Sequence, residues 1–401
     1  MPKHINGSDL RGVGSLTIDG INGIIALVEA VHHTINRLGG FLGKSNQHRT
    51  TGITGRVYRH LRSVSGLVGG GTDLLLKRLS PLIGETGSSM EREVILSVLN
   101  GILGDHLAAR GNPLAIPMQF RRNGTPLAMD TQRLNEWVHQ FDGKVVLMVH
   151  GSCMNDLEWN RQGHDHGEAL ARDLGYLPIY LHYNTGRHIS QNGREFARLI
   201  EGFLGQSSQV KELVIIAHSM GGLVSRSACH YGKIANHSWV NHLQKIIFLG
   251  TPHWGAPLER AGNWIDILLD INPYSAPFSR LGKIRSAGIT DLRYGHILDE
   301  DWKGHDRFKY SGKRESHVPL PENVQSYTIA ATTCKGTSRL GDQLVGDSLV
   351  TVNSALGHHK NTELALVFPK SHQKIVRNMN HLDLLNQSEV YETIKRWLTN
   401  P

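Results

Sequence analysis

Residues 214–224 read VIIAHSMGGLV, an apolar run that ends in His218 and Ser219 and passes straight into two glycines. An apolar segment of this length suits a parallel strand covered on both faces, and the small residues after it suit a tight turn into a helix. The serine is therefore expected at the turn. In a chain with 44 glycines among 401 residues, a Gly/Ala-x-Ser-x-Gly pattern alone is weak. Here it occurs once, at Ala217-His218-Ser219-Met220-Gly221, directly after KELVIIAH and before the helix-like LVSRSACHYG. That context is the one a nucleophile elbow requires.

The surrounding chain alternates strand and helix patterns. KVVLMVH precedes GEALARDLG, LPIYLHY precedes GREFARLIEGFL, and ELVIIAH precedes the elbow helix and KIIFLG. VQSYTIAATT, ELALVFP and a final helix SEVYETIKRWL follow. This rhythm predicts an α/β fold with a mostly parallel, doubly wound sheet over residues 112–401, opened by a hairpin-like AIPMQFRRNGTPL. Residues 256–320 interrupt it and are expected to form a lid-like insertion over the carboxyl ends of the strands. Trp264, Ile265, Ile267, Leu268 and Leu269 would supply the apolar face of such a lid or, as plain scaffold, would bury that face on the sheet; both give the same periodicity. Residues 1–111 carry helical spacing at 16–38, 58–80 and 91–109, and read as a helical N-terminal extension or cap.

A serine hydroxyl needs a histidine to take its proton, and the histidine needs a carboxylate to fix its tautomer. On a strand–elbow–helix scaffold these follow in the order Ser, acid, His, on loops at the strand ends. His381, in NMNHLDLL, lies between the last expected strand, ELALVFP, and the final helix; His372 is the weaker rival. After VQSYTIAATT the acids are Asp342 and Asp347, and Asp347 is preferred because Leu349 and Val350 can anchor its loop. Asp383 is expected to shape the loop or cap the coming helix. An oxyanion requires preorganised N–H groups, for which Met220 and, after KVVLMVH, Ser152 are the candidates, with His150 tying that loop together.

With these pieces placed, the chain resembles the α/β-hydrolase superfamily, and within it the bacterial esterase/lipase group. VHGS at 149–152, AHSMGG at 217–222, FLGTPHWG at 248–255, GDSLV at 346–350 and NHLDLL at 380–385 carry the resemblance. It implies carboxylic ester hydrolysis through catalytic Ser219, Asp347 and His381, with Ser152 and Met220 at the oxyanion hole. It also implies substrate contacts from His253 and Trp254. The elbow begins with Ala217 where lipase-like members often have glycine.

Other signals bound the partners. HDHGE at 164–168 places two histidines around an aspartate, but side chains at i and i+2 of a helix do not face one another, so no metal is expected. No cofactor is implied. Cys153, Cys229 and Cys334 form neither a CxxC pair nor an even set, which fits a reducing, cytoplasmic setting. The net charge of +8 comes without a long basic block, so nucleic acid is not expected. The partner is instead an acyl ester or lipid, with peripheral membrane contact through residues 1–110 as an accompanying expectation. Arg187 and His188 are expected chiefly in turn and capping duties. The rival readings are a non-catalytic, membrane-associated binding protein on a hydrolase scaffold, and an acyltransferase or thioesterase using the same triad.

Overall fold

The computed structural model describes residues 90–256, 286–304, 317–334 and 346–400. Expectations for the segments 16–38 and 58–80, for Asp342, and for the apolar cluster at 264–269 lie outside these residues. The described residues fall in two compact units, 90–116 in one and the remainder in the other. In the first, α1 (Met90–Ala109) buries Val94, Val98, Leu99, Ile102 and Leu107. The Asn100 amide donates to Leu114 O (2.8 Å) and accepts from Ile116 N (2.9 Å), which ties the following segment to the helix.

The second unit begins with a hairpin, β1 (Gln119–Arg122) and β2 (Thr125–Pro126). There follow α2 (Thr131–Gln140), β3 (Lys144–Val149), α3 (His166–Leu174), β4 (Leu177–His182), α4 (Ile189–Gln206), β5 (Glu212–His218), α5 (Met220–Ile234) and β6 (Leu243–Leu249). After the interruption come α6 (Ala287–Tyr294), β7 (Gln325–Thr332), α7 (Val352–Ala355), β8 (Gln373–Arg377) and α8 (Ser388–Thr399). The eight strands form one sheet in the order β2-β1-β4-β3-β5-β6-β7-β8. β1 runs antiparallel to both its neighbours, and the other pairings are parallel.

That order explains why the central strands are continuous apolar runs. β5 lies between β3 and β6 and is buried from Leu213 to His218. From β3 the chain pairs β4 on one side and later β5 on the other, so the strand order reverses at β3/β5. A crevice at the carboxyl ends of such a reversal is where ligands bind in open α/β sheets. Val149 and Ala217, near those ends, are in register. The hairpin edge is fastened by Phe120, whose ring meets Phe196 and Phe203 of α4 edge-on at 6.3 and 5.8 Å. Buried Lys245 of β6 donates to Trp397 O (3.0 Å) and Asn400 O (2.8 Å), placing a cation at the negative end of α8.

Two local expectations change. The strand before His381 is Gln373–Arg377, whereas ELALVFP is irregular chain. The open edge of β7 is taken by residues 373–377, from Thr328 opposite Gln373 to Thr332 opposite Arg377, so 363–369 does not pair there. Its Leu366 and Phe368 are buried while Val367 between them is 81% exposed, a short extended run covered on one side. The helix Thr131–Gln140 was not anticipated; Asp130 caps it and Leu134 and Val138 form its buried stripe. Among the described residues no helix is long and apolar enough to cross a membrane.

Candidate active site

The glycines after Ser219 have a geometric cause. β5 ends at His218, α5 begins at Met220, and Ser219 between them has φ 54° and ψ −123°, outside the regions an L-residue favours. A turn this sharp drives the start of α5 against β3. A methyl group on Gly221 would sit 2.4 Å from Val149 O and 2.7 Å from His150 O, and one on Gly222 only 2.0 Å from Thr251 Oγ1. Gly221→Ala should therefore cost about 1–3 kcal/mol of stability and, by pushing the loop after β3 away, should also depress activity. Urea unfolding read alongside turnover checks both, and an unchanged midpoint would contradict the close approach.

Asp347 and His381 meet directly. His381 Nδ1 lies 2.6 Å from Asp347 Oδ2, and the second carboxylate oxygen accepts from Leu349 N (3.0 Å) and Val350 N (2.8 Å). Both side chains are buried. A carboxylate on Nδ1 fixes the tautomer that carries its proton there and leaves the lone pair on Nε2. His381 Nε2 is buried with no hydrogen-bond partner. The imidazole lies over Gly250 at the end of β6, where a methyl group would come within 3.0 Å of Cε1; Gly250 also has φ 58°.

His381 sits beside the strand that ends at Ser219. The His381 and His218 rings are 4.6 Å apart, and His218 Nε2 lies 3.2 Å from His381 O. Ser219 Oγ and His381 Nε2 are not hydrogen-bonded to each other in the structure. Asp383 shapes the loop that carries His381 by accepting from Asn380 N (2.7 Å). His372, at the entry to β8, stacks on Tyr327 at 4.1 Å and bonds Ser326 O (3.1 Å).

The loop after β3 packs on the elbow, since a methyl group on Gly151 would lie 3.1 Å from Ser219 Cβ. The backbone N–H groups of Ser152 and Met220 have no acceptor among the described residues. Three contacts hold this loop: His150 Nδ1 with Gly151 O (2.9 Å), Tyr183 Oη donating to His150 O (2.9 Å), and Cys153 N donating to Thr185 Oγ1 (3.1 Å). Cys153 takes φ 59° to make its bond. Burial pushes its thiol up to about 12, so it is not a thiolate nucleophile.

His253 and Trp254 are engaged in packing. The His253 ring is buried against Phe248 and Phe368, and Trp254 Nε1 donates to Gly357 O (2.9 Å). HDHGE is structural as well: Asp165 caps α3, while His164 Nε2 meets His166 Nδ1 (2.8 Å) and His166 Nε2 meets Leu384 O (2.9 Å). Among the described residues no group of three or more His, Cys, Asp or Glu is placed to hold a metal ion. Arg187 pairs with Glu195, and His188 Nδ1 bonds Asp291 Oδ2 (2.9 Å) under a stacked Trp302.

Burial lowers the basicity of three of these imidazoles, His150 to about 3, His166 to about 4 and His218 well below 6.5. The roles of His166 and His218 were not visible in the sequence, because each acts on a carbonyl more than 160 positions away.

Residues 140–328 match the family model described as PGAP1-like alpha/beta domain. No curated protein matches the chain. Among solved structures, the mature lipase BlEst2 of Bacillus licheniformis is similar at 18% identity, over 65% of this chain and 93% of that one, with a TM-score of 0.42. A lipase-esterase related protein of Clostridium acetobutylicum follows at 15% identity, covering 70% and 98%, TM-score 0.35. A thermophilic esterase of Thermogutta terrifontis follows at 13%, covering 71% and 93%, TM-score 0.37.

Proposed function

We propose that this chain, a member of the α/β-hydrolase superfamily, is a serine hydrolase that cleaves carboxylic esters of acyl chains, lipids included. The observation that carries the reading is the buried Asp347–His381 contact at 2.6 Å, with Nε2 left unpartnered beside the strand that ends in Ser219.

The chemistry follows from proton positions. Ser219 Oγ attacks the carbonyl carbon as its proton passes to His381 Nε2, and Asp347 stabilises the imidazolium. The carbonyl oxygen becomes an oxyanion held by the N–H groups of Ser152 and Met220. His381 returns the proton to the leaving alkoxide, the C–O bond breaks, and an acyl ester of Ser219 remains. Water, deprotonated by His381, attacks that ester, the carboxylic acid departs, and Ser219 recovers its proton. Contact with a membrane surface through residues 1–110 would bring such an enzyme to lipid esters, and a cytoplasmic location accords with the free cysteines.

A fluorophosphonate should modify Ser219, mapped by peptide mass spectrometry, and p-nitrophenyl acyl esters of increasing chain length should be turned over. Including a matched acyl thioester tells an esterase from a thioesterase. Labelling at any other residue, or none, would falsify the assigned nucleophile.

A further inference from the structure

The loop that carries His381 has no regular structure between β8 and the short turn at Asp383–Leu385. Its hold on the fold comes from individual hydrogen bonds. His381 N donates to Asp347 O (3.1 Å) and Met379 N to Thr332 O (3.1 Å), both from the acid's side of the site. From the nucleophile's side, His218 Nε2 reaches His381 O at 3.2 Å.

We propose that His218 is a positioning residue for the reaction proposed above: its Nε2–H fixes the backbone of the general base to the strand that carries the nucleophile. The bond is short in covalent terms on one side, since His218 is bonded directly to Ser219. A shift of β5 therefore moves serine and base together. The ring also packs 4.6 Å from the His381 imidazole, limiting its swing, and the Trp159 indole lies 6.5 Å away, edge to face.

The bond requires a particular protonation state. Only a tautomer with hydrogen on Nε2 can donate to a carbonyl, and His218 Nδ1 is buried with no partner. Burial and, after it, the charges of His381, His150 and Arg161 oppose a positive charge on His218, and only its bond to the His381 carbonyl favours one. A neutral ring suits the role, because His381 itself becomes cationic during turnover and a second cation beside it would raise the barrier.

Glutamine at position 218 can place its amide nitrogen near the Nε2 position; leucine and asparagine cannot donate to His381 O from there. In the full chain, His218→Leu should lower kcat on a p-nitrophenyl ester about 10- to 100-fold, the effect of a misplaced base, with KM within about twofold. The acid limb of its kcat/KM profile should move. His218→Gln should recover kcat to within about threefold of the parent, and His218→Asn should resemble leucine, which keeps the comparison intact if leucine does not fold. A folded leucine or asparagine variant with the parent's kcat overturns the inference, as does a glutamine variant as slow as leucine. If the parent enzyme itself is not labelled at Ser219 by fluorophosphonate, the triad falls and this role falls with it. Labelled parent with indifferent position-218 variants overturns the positioning role alone.

Discussion

Replacing Ser219 with alanine should lower kcat on a soluble acyl ester by about 10⁴–10⁶-fold, and adding Asp347→Asn to that variant should lower it no further. The reason is that, in the proposed relay, the three side chains act on one proton. Without the hydroxyl there is nothing for His381 Nε2 to deprotonate, so the orientation Asp347 imposes through its 2.6 Å contact has no consequence. Asp347→Asn alone, by contrast, should cost about 10⁴-fold, because an amide in that place favours the wrong tautomer. The residual rate in both cases would come from the proposed oxyanion donors, the Ser152 and Met220 N–H groups, and from binding. Ser219→Ala removes no side-chain hydrogen bond and inherits the same φ of 54°, so circular dichroism and thermal midpoint should match the parent. Losses that multiply in the double variant would mean that Ser219 and Asp347 serve different steps, and the proposed relay would be wrong.

The parts of this arrangement visible in the sequence are those with a local cause. β3, β4 and β5 are apolar through their middles because they are covered on both faces, and HSMGG announces its turn because a methyl group on Gly221 would lie 2.4 Å from the Val149 carbonyl. Asp347 could be preferred from Leu349 and Val350, although what those residues supply is more specific than an apolar anchor: their N–H groups hold the carboxylate oxygen that His381 does not use. Edge elements were harder. QKIVR contains two apolar residues and is half-covered, whereas ELALVFP has the stronger pattern but does not take the place beside β7. Choosing between them required knowing where β7 ends. The helix at 131–140 is amphipathic over only ten residues and shows little beyond its Asp130 cap. The imidazoles His166 and His218 belong to a third kind: each is conspicuous in the sequence, but its function is to hold a backbone carbonyl brought near by the fold, and nothing local records that.

Those buried imidazoles make the fold acid-sensitive above the usual carboxylate range. In the unfolded chain His150, His166 and His218 take up protons near pH 6.5; in the native state burial keeps them neutral to about 3, about 4 and well below 6.5, respectively. The unfolded state therefore binds more protons throughout that interval, and stability falls as pH falls. Each such group contributes a slope approaching about 1.4 kcal/mol per pH unit. Glu158 opposes one of them. Burial raises its carboxyl to about 7, so between there and its ordinary 4.5 the folded state holds the extra proton. The net slope between pH 6 and 5 is then that of about two histidines, roughly 3 kcal/mol per unit, a large share of the 5–15 kcal/mol that holds a typical domain together. Urea unfolding at half-unit steps from pH 7.5 to 5 should show this decline beginning near pH 6.5 and still continuing at pH 5. His166→Gln, which can still donate to Leu384 O, should reduce the slope by about 1.4 kcal/mol per unit while preserving turnover at pH 7.5. A stability that stays level from pH 7 to 5 would mean that these rings gain their protons inside the folded protein, and that the bonds from His166 to Leu384 and from His218 to His381 survive on cationic imidazoles.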